Sequence, residues 1–370
     1  MSEVKKSSRI LSLDMMRGYF LVVIIIDHLY WYPNGFSWLS GRGDLFVSAA
    51  EGFFLISGLI LGVVRGQKLR NKPFLFVAKL LVKRSVQLYI TSVILMLIFT
   101  LLGWWFFIDN PGLKPGIRPP NESFIHVLIG ALDYKYVYGW ADFLRLYAIF
   151  IFVSPLALWL LRHKKTYIVL GLSILLYCLR PVIRAHTSLS DELLMPVTWQ
   201  LIFFSGFVIG FHQKTIAAKW SEYSASLRRW IKITVFAVTL TTLIANCIIV
   251  FGAEFSATLD HLQDVLLPYF SKEALPPVRV LLFGFWFTAS FWTFQYFESR
   301  IKKTVGWILI PFGTNSLYVY TIHAFVIFFV HMIMLDASSN IAINFTGTIL
   351  VLAVIWLAVR TKFLMRIIPR

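Results

Sequence analysis

The sequence predicts an all-α polytopic integral membrane protein of about ten transmembrane helices with both termini in the cytoplasm. Three observations carry this expectation. Hydrophobic residues make up 58% of the 370-residue chain and charged ones only 14%, where a soluble domain carries about 25% charged residues. Mean hydropathy is +0.74, more apolar surface than a water-soluble core of this size can hide. The basic residues sit in short clusters between apolar runs of membrane-spanning length.

The runs place helices at roughly 10–32, 45–65, 86–107, 141–161, 166–180, 196–212, 231–252, 279–297, 315–334 and 342–360. The first follows the basic stretch Met1 to Arg9. It holds Asp14, Arg17, Asp27 and His28 with no small-residue cleavage site after them, so it reads as an uncleaved span. The second contains Ser48-Ala49-Ala50-Glu51-Gly52-Phe53-Phe54. Ahead of the third, Pro73 to Lys83 mixes Phe74, Leu75, Phe76 and Val77 with Lys79 and Lys83, the pattern of an interfacial segment. The fourth opens on Asp142, the fifth is short, the sixth opens near Trp199, the eighth is aromatic-rich, and the ninth carries Asn315, Ser316 and His323. The whole of 1–370 reads as a single transmembrane domain, without tandem repeats or a separate soluble module.

Charge sets the orientation. With the N-terminus in the cytoplasm, 25 Lys and Arg fall on that side and 9 on the other, with Arg17 inside the membrane. That asymmetry obeys the positive-inside rule and supports an even number of spans. It also explains the net charge of +17 without nucleic acid. Cys178 and Cys247 both lie in apolar runs, so neither a disulfide framework nor a metal site is expected. The two long outer loops, Asp109 to Trp140 and Ala253 to Val278, combine aromatics with carboxylates such as Asp260, Asp264 and Glu273. Sugar rings need that combination, although an aromatic belt at the membrane interface uses the same residues.

Ionisable side chains at membrane depth cost a few kcal/mol or more and mark functional sites. Arg17 and His28 are 11 residues apart, which places them on one helix face about 16 Å apart along the axis. Asp14 lies one turn from Arg17 near the same face, whereas Asp27 points about 100° away from His28 and is expected to serve another helix contact. Arg17 suits phosphate groups at the cytoplasmic end. His28, near the outer end, suits proton removal from a hydroxyl. A donor with a phosphate head and a long thin arm fits such a layout, and acyl-coenzyme A has that shape. Glu51 is expected at nearly the depth of His28, where a carboxylate would fix the imidazole's tautomer. Arg84, beside Lys83, is a second candidate for donor phosphates. Asp142, Arg145, Trp199 and Gln200 are candidates for acceptor binding by position. Asn315, Ser316 and His323 are polar within an apolar run, where His323 would line the same cavity or equally hydrogen-bond between helices, and Ser57, Asn315 and Ser316 are candidate oxyanion donors. A structural Asp14–Arg17 pair with a histidine hydrogen-bonded between helices is the plainer reading of the first helix. A covalent acyl-histidine intermediate stays open.

Several of these residues also carry a family resemblance. Leu13-Asp14-Met15-Met16-Arg17-Gly18, followed ten residues after Arg17 by His28, resembles the Arg–x10–His signature of the acyltransferase-3 membrane acyltransferases. Glu51-Gly52-Phe53-Phe54-Leu55-Ile56-Ser57-Gly58 is similar to their second-helix Phe-Phe–x–x–Ser-Gly element, and Ser316 to His323 resembles their late Ser-Leu–x–x–Tyr–x–x–His element. Ala50-Glu51, Asp142-Phe143-Leu144-Arg145-Leu146-Tyr147 and Trp199-Gln200-Leu201 resemble the OpgC branch. OpgC proteins are associated with succinyl transfer onto osmoregulated periplasmic glucans. The resemblance therefore implies an O-acyltransferase of the bacterial inner membrane. Its donor would be cytoplasmic acyl-CoA (succinyl-CoA where the likeness is taken literally), and its acceptor a glucan hydroxyl in the cell envelope. No metal is implied, lipid is the surrounding partner, and a homo-oligomer is left open. The rival classes are a transporter or flippase of a polar or lipid-linked substrate and a receptor or scaffold. The first lacks an inverted repeat or matched broken helices, and the second leaves the shared face of Asp14, Arg17 and His28 unexplained.

Overall fold

The computed structural model describes residues 10–113, 117–139, 142–333, 338–365 and 368, with Ser40, Asp142 and Glu192 described by their backbone alone. The basic stretch Met1 to Arg9, Pro115 and Trp140 fall outside these residues. Among the described residues the regular elements are all helical. Ten are long: α1 Leu11–Leu29, α2 Ala49–Leu61, α3 Phe74–Phe106, α4 Asp142–Arg162, α5 Thr166–His186, α6 Asp191–Glu222, α7 Ala225–Gly252, α8 Pro277–Tyr296, α9 Ser316–Ile333 and α10 Ile341–Thr361. Eight of them, α2 taken together with the helical turn Gly62–Gln67 that continues it, are long and apolar enough to cross a membrane, so the chain is a multi-pass membrane protein. The other two are α1, which holds Asp14, Arg17 and Asp27, and α8, which carries Arg279 among Trp, Thr and Ser.

Helix ends differ from expectation in a consistent direction. α3 is one continuous helix of 33 residues, about 50 Å long, and its first turns absorb the segment 73–83 expected to lie apart as an interfacial element. α5 runs on to His186 and α6 spans 32 residues, both well past their apolar runs. The physical reason is solvation: beyond the hydrocarbon the long side chains reach water while the backbone keeps its helical bonds. Arg180 and Arg184 at the end of α5 pair with Asp191 at the start of α6, at 2.8 and 3.3 Å. A short helix, Gly306–Thr314, lies between two of the expected spans and packs closely on α1.

α2, α6 and α9 are buried along most of their length, whereas α5 and α7 mostly face outward. Small residues make the central contacts possible. At Gly58 and Gly62 of α2 an added Cβ would collide with the backbone carbonyls of Phe203 and Phe207 in α6, and at Gly206 and Gly210 of α6 with those of Leu55 and Leu59. The same holds between α1 and 306–314, where Gly18 faces the Leu309 carbonyl and Gly313 the Asp14 carbonyl. Close backbone approach through small residues replaces the hydrophobic drive that lipid cannot supply between helices. Gly58→Val should therefore lower the melting temperature of purified protein or prevent folding, because a backbone carbonyl cannot give way as a side chain can. A melting temperature equal to that of wild type would contradict this crossing.

α2 begins with Ser48 as its N-cap, and the Glu51 carboxylate reaches back to the Ser48 backbone N–H at 3.2 Å and its hydroxyl at 2.5 Å. This capping box fixes Glu51 at the first turn and ties it to the 41–48 loop that precedes α2.

Candidate active site

The site is built where α1 meets α9. His28 stands in the last turn of α1 and His323 in the middle of α9, where it is fully buried. Nδ1 of His28 lies 3.0 Å from Nε2 of His323, and Nδ1 of His323 lies 2.5 Å from the Tyr320 carbonyl oxygen. A carbonyl can only accept, so His323 carries its proton on Nδ1 and offers its lone pair at Nε2. With both rings neutral, His28 must then donate from Nδ1, and its own lone pair lies on Nε2. The chain Tyr320–His323–His28 thus selects one tautomer of His28 and makes Nε2 its basic nitrogen.

His28 borders a cavity of about 470 Å³, together with Asp27 from α1, the 42–50 segment, the 267–273 loop and Arg279 of α8. Its wall carries Asp27, Asp44 and Glu273 against Arg42, Lys272 and Arg279, with Tyr30, Phe143 and Phe270 as the aromatic surfaces. Of the two long loops expected to face a sugar, the second is the one that contributes among the described residues, through residues 267–273 and without Asp260 or Asp264. Asp27 was expected on a separate face, yet it joins this wall and accepts from the Tyr32 hydroxyl at 3.3 Å, because α1 ends within two residues of it and the chain turns back. Burial raises the Asp44 carboxyl above its ordinary range, and the charges of Arg42, Lys272 and Arg279 only partly offset this. A carboxyl raised on folding supports the folded state when protonated, and that support is lost as pH rises through its folded value. Asp44→Asn should therefore gain melting temperature relative to wild type as pH climbs from about 4 toward neutrality. An unchanged difference across that range would contradict the assignment.

Glu51 requires a correction. It was expected to orient His28, but its Oε1 accepts from Arg279 Nε at 2.6 Å and its Oε2 is used by Ser48. Both partners of the ion pair are almost fully buried. The carboxylate sits at the right end of α2, but the capping box turns it toward the loop and Arg279, and an imidazole takes the place behind His28.

At the other end of α1, Arg17 has its guanidinium over the Phe53 ring, 5.3 Å from the centroid, and its buried Nε has no hydrogen-bond partner. The ion pairs among the described residues do not include one between Arg17 and Asp14. Beside Arg17 is a gap of only about 10 Å³ bordered by Phe143, Tyr147 and Tyr320, room for about one water molecule. Phe143 borders both this gap and the His28 cavity. Its ring lies 6.1 Å from that of Tyr320, and the two aromatics stand between the two spaces. Arg84 lies within electrostatic reach of Arg17, Arg65 and Tyr147. Arg65, which was not singled out from the sequence, sits on the π-helical turn Gly62–Gln67 that ends α2. Such turns often mark functional positions.

The remaining candidates fall elsewhere. Trp199 is fully buried against Phe54 and Phe143, and its indole N–H donates to the Lys272 carbonyl at 3.2 Å. It supports the 267–273 loop from behind. Gln200 donates to the Ser173 and Val197 carbonyls, and Arg145 to the Tyr134 carbonyl. Asn315 donates to the Pro311 carbonyl at the end of helix 306–314, and Ser316 is buried at the start of α9. None of Gln200, Arg145, Asn315 and Ser316 borders the cavity, and the first three are bonded to neighbouring backbone carbonyls. The Asp142 side chain lies outside the described residues. The sequence reading missed Arg279, Arg42, Asp44 and Lys272. A signal for Arg279 existed: a buried glutamate in α2 needs a cation, and Arg279 stands two residues inside an apolar helix after Pro276-Pro277.

A helical membrane protein with a histidine pair at the edge of a polar cavity is thereby defined. The family profile described as OpgC protein matches residues 9–367. The chain belongs to the OpgC family, which is consistent with a glucan-modifying membrane enzyme of acyltransferase type. No curated protein and no solved structure matches it.

Proposed function

We propose that this protein is a transmembrane O-acyltransferase that moves an acyl group from acyl-CoA to a hydroxyl of an envelope glucan. Ten spans, both termini in the cytoplasm and residence in a bacterial inner membrane accompany that reading, as the loop charge favours. The observation that carries it is the pairing of opposite requirements on one helix. His28 has its basic nitrogen defined by His323 at the edge of a polar cavity, and about 16 Å along the axis stands Arg17, whose buried Nε has no hydrogen-bond partner among the described residues. Arg17, Arg65 and Arg84 hold the phosphates of the donor, and its arm passes between Phe143 and Tyr320. The acceptor hydroxyl oxygen attacks the thioester carbonyl carbon. A C–O bond forms and the C–S bond breaks. His28 Nε2 takes the hydroxyl proton and returns it to the departing coenzyme A thiolate. His323, instead of the expected Glu51, orients the base. Acceptance of a succinyl group and a periplasmic glucan follows from family kinship.

Calorimetric titration of acyl-CoA into purified protein tests the donor half. Binding is expected in wild type and should weaken about ten- to a hundredfold in Arg17→Ala, the loss of charge-assisted bonds to phosphate. Absence of acyl-CoA binding, with substrate uptake into liposomes instead, would favour the transporter.

A further inference from the structure

The Glu51–Arg279 pair has more hydrogen-bonding capacity than the fold consumes. A guanidinium offers five N–H donors. Nε serves Glu51, and Nη1 serves the Leu45 carbonyl at 2.8 Å and the Phe270 carbonyl at 2.6 Å. Nη2, with two protons, is buried and has no partner among the described residues. Arg279 is 1% exposed yet forms part of the His28 cavity wall. Leaving such donors unsatisfied is costly, and three bonds from three different elements hold them in one orientation. The cavity itself is charge-balanced. Asp27, Asp44 and Glu273 stand against Arg42, Lys272 and Arg279, and Arg279 is further neutralised by Glu51 behind it. What it presents is a fixed pair of donors with little net field, suited to an uncharged oxygen more than to an anion.

We propose that Arg279, locked by Glu51, is an acceptor-positioning residue whose Nη2 protons hold an oxygen of a neutral sugar in the His28 cavity. This rests on the acyl-transfer reading for its consequence, since the sugar held there is the one whose hydroxyl faces His28. It does not rest on that reading for the binding itself. The conservative variant Arg279→Lys separates the two roles of the residue: an ammonium can keep the ion pair with Glu51 but cannot also supply the Nη2 donors.

The test is calorimetric titration of a neutral gluco-oligosaccharide into the full-length protein, with melting temperature measured in parallel. Wild type is expected to bind, and Arg279→Lys to bind about ten- to a hundredfold more weakly while still melting cooperatively. In the transfer assay Arg279→Lys should raise the acceptor KM and leave the acyl-CoA KM within about twofold. A glucuronic acid oligosaccharide should bind wild type no better than the neutral one. Unchanged acceptor affinity in Arg279→Lys would show a purely structural ion pair and overturn the inference, as would preference for the anionic sugar. Sugar binding that depends on Arg279, in a protein that transfers no acyl group, would leave the site standing and overturn the acyl-transfer reading instead.

Discussion

His28→Ala is expected to lower acyl transfer to a glucan acceptor by about 10²- to 10⁴-fold, the usual contribution of a positioned general base. The substitution removes the one imidazole that borders the cavity and makes no change to the Arg17 end of the helix, so acyl-CoA affinity should stay close to that of wild type. That division gives the result its meaning: loss of turnover with retained donor binding assigns His28 to the chemical step. His323→Ala should also lose activity by a smaller factor, since Nε2 of His323 is the acceptor that fixes the His28 proton on Nδ1. Its removal leaves the His28 tautomer unselected and the forming imidazolium without its hydrogen-bond partner. His323→Gln, which can place an amide oxygen behind His28, should recover part of that loss. Labelled acyl-CoA and thin-layer or mass analysis of the acceptor would measure all three variants. Wild-type turnover in His28→Ala would dismiss the base, and an unaltered His323→Ala would dismiss the relay.

The contrast between the two ends of α1 explains how much of this site could be read from sequence. Arg17 and His28 were legible because an ionisable residue inside an apolar run has no inexpensive place to go, and an 11-residue spacing fixes their common face without any knowledge of neighbours. The identity of the partners was not legible. Nothing local distinguishes Glu51 from His323 as the group behind His28. That choice is made by the capping box, which turns the Glu51 carboxylate onto Ser48, and by Arg279, 228 residues away in sequence. Arg279 itself was hidden by its position at the start of α8, next to the 253–278 loop, where it counts as one more loop charge. The fold followed the same division. The ten apolar runs correspond to the ten long helices, but α3, α5 and α6 overran their expected ends because polar residues at the membrane edge do not stop a helix. The segment 306–314 escaped notice because nine residues are too few to establish a period, although its Gly313 and the Gly18 of α1 now make one of the closest backbone crossings.

The largest effect on stability is expected at the ion pair. Arg279→Met should cost about 3–5 kcal/mol, because it leaves Glu51 buried with its cation removed. The Glu51 side chain is 0% exposed and that of Arg279 is 2% exposed, so neither can turn to water for compensation. The loss extends beyond Coulombic attraction. Arg279 also donates to the carbonyls of Leu45 and Phe270, and both of those segments line the His28 cavity. Removing it frees the 41–48 loop from the 267–273 loop, and cavity shape should go with stability. Glu51→Gln should be milder, since an amide oxygen can still accept from Arg279 Nε and only the charge is lost. Glu51→Leu with Arg279→Met in the same chain should recover much of the stability lost by Arg279→Met alone, since replacing both ions by apolar groups removes the penalty of burying either. Acceptor binding should not return with it. Thermal unfolding in detergent, followed by tryptophan fluorescence, measures the first quantity and sugar titration the second. A double variant as unstable as Arg279→Met would mean that the backbone carbonyl contacts, more than the buried charge, govern this part of the fold. A stable double variant that binds no sugar would separate the two uses of Arg279, one in holding the cavity walls together and the other in facing what enters between them.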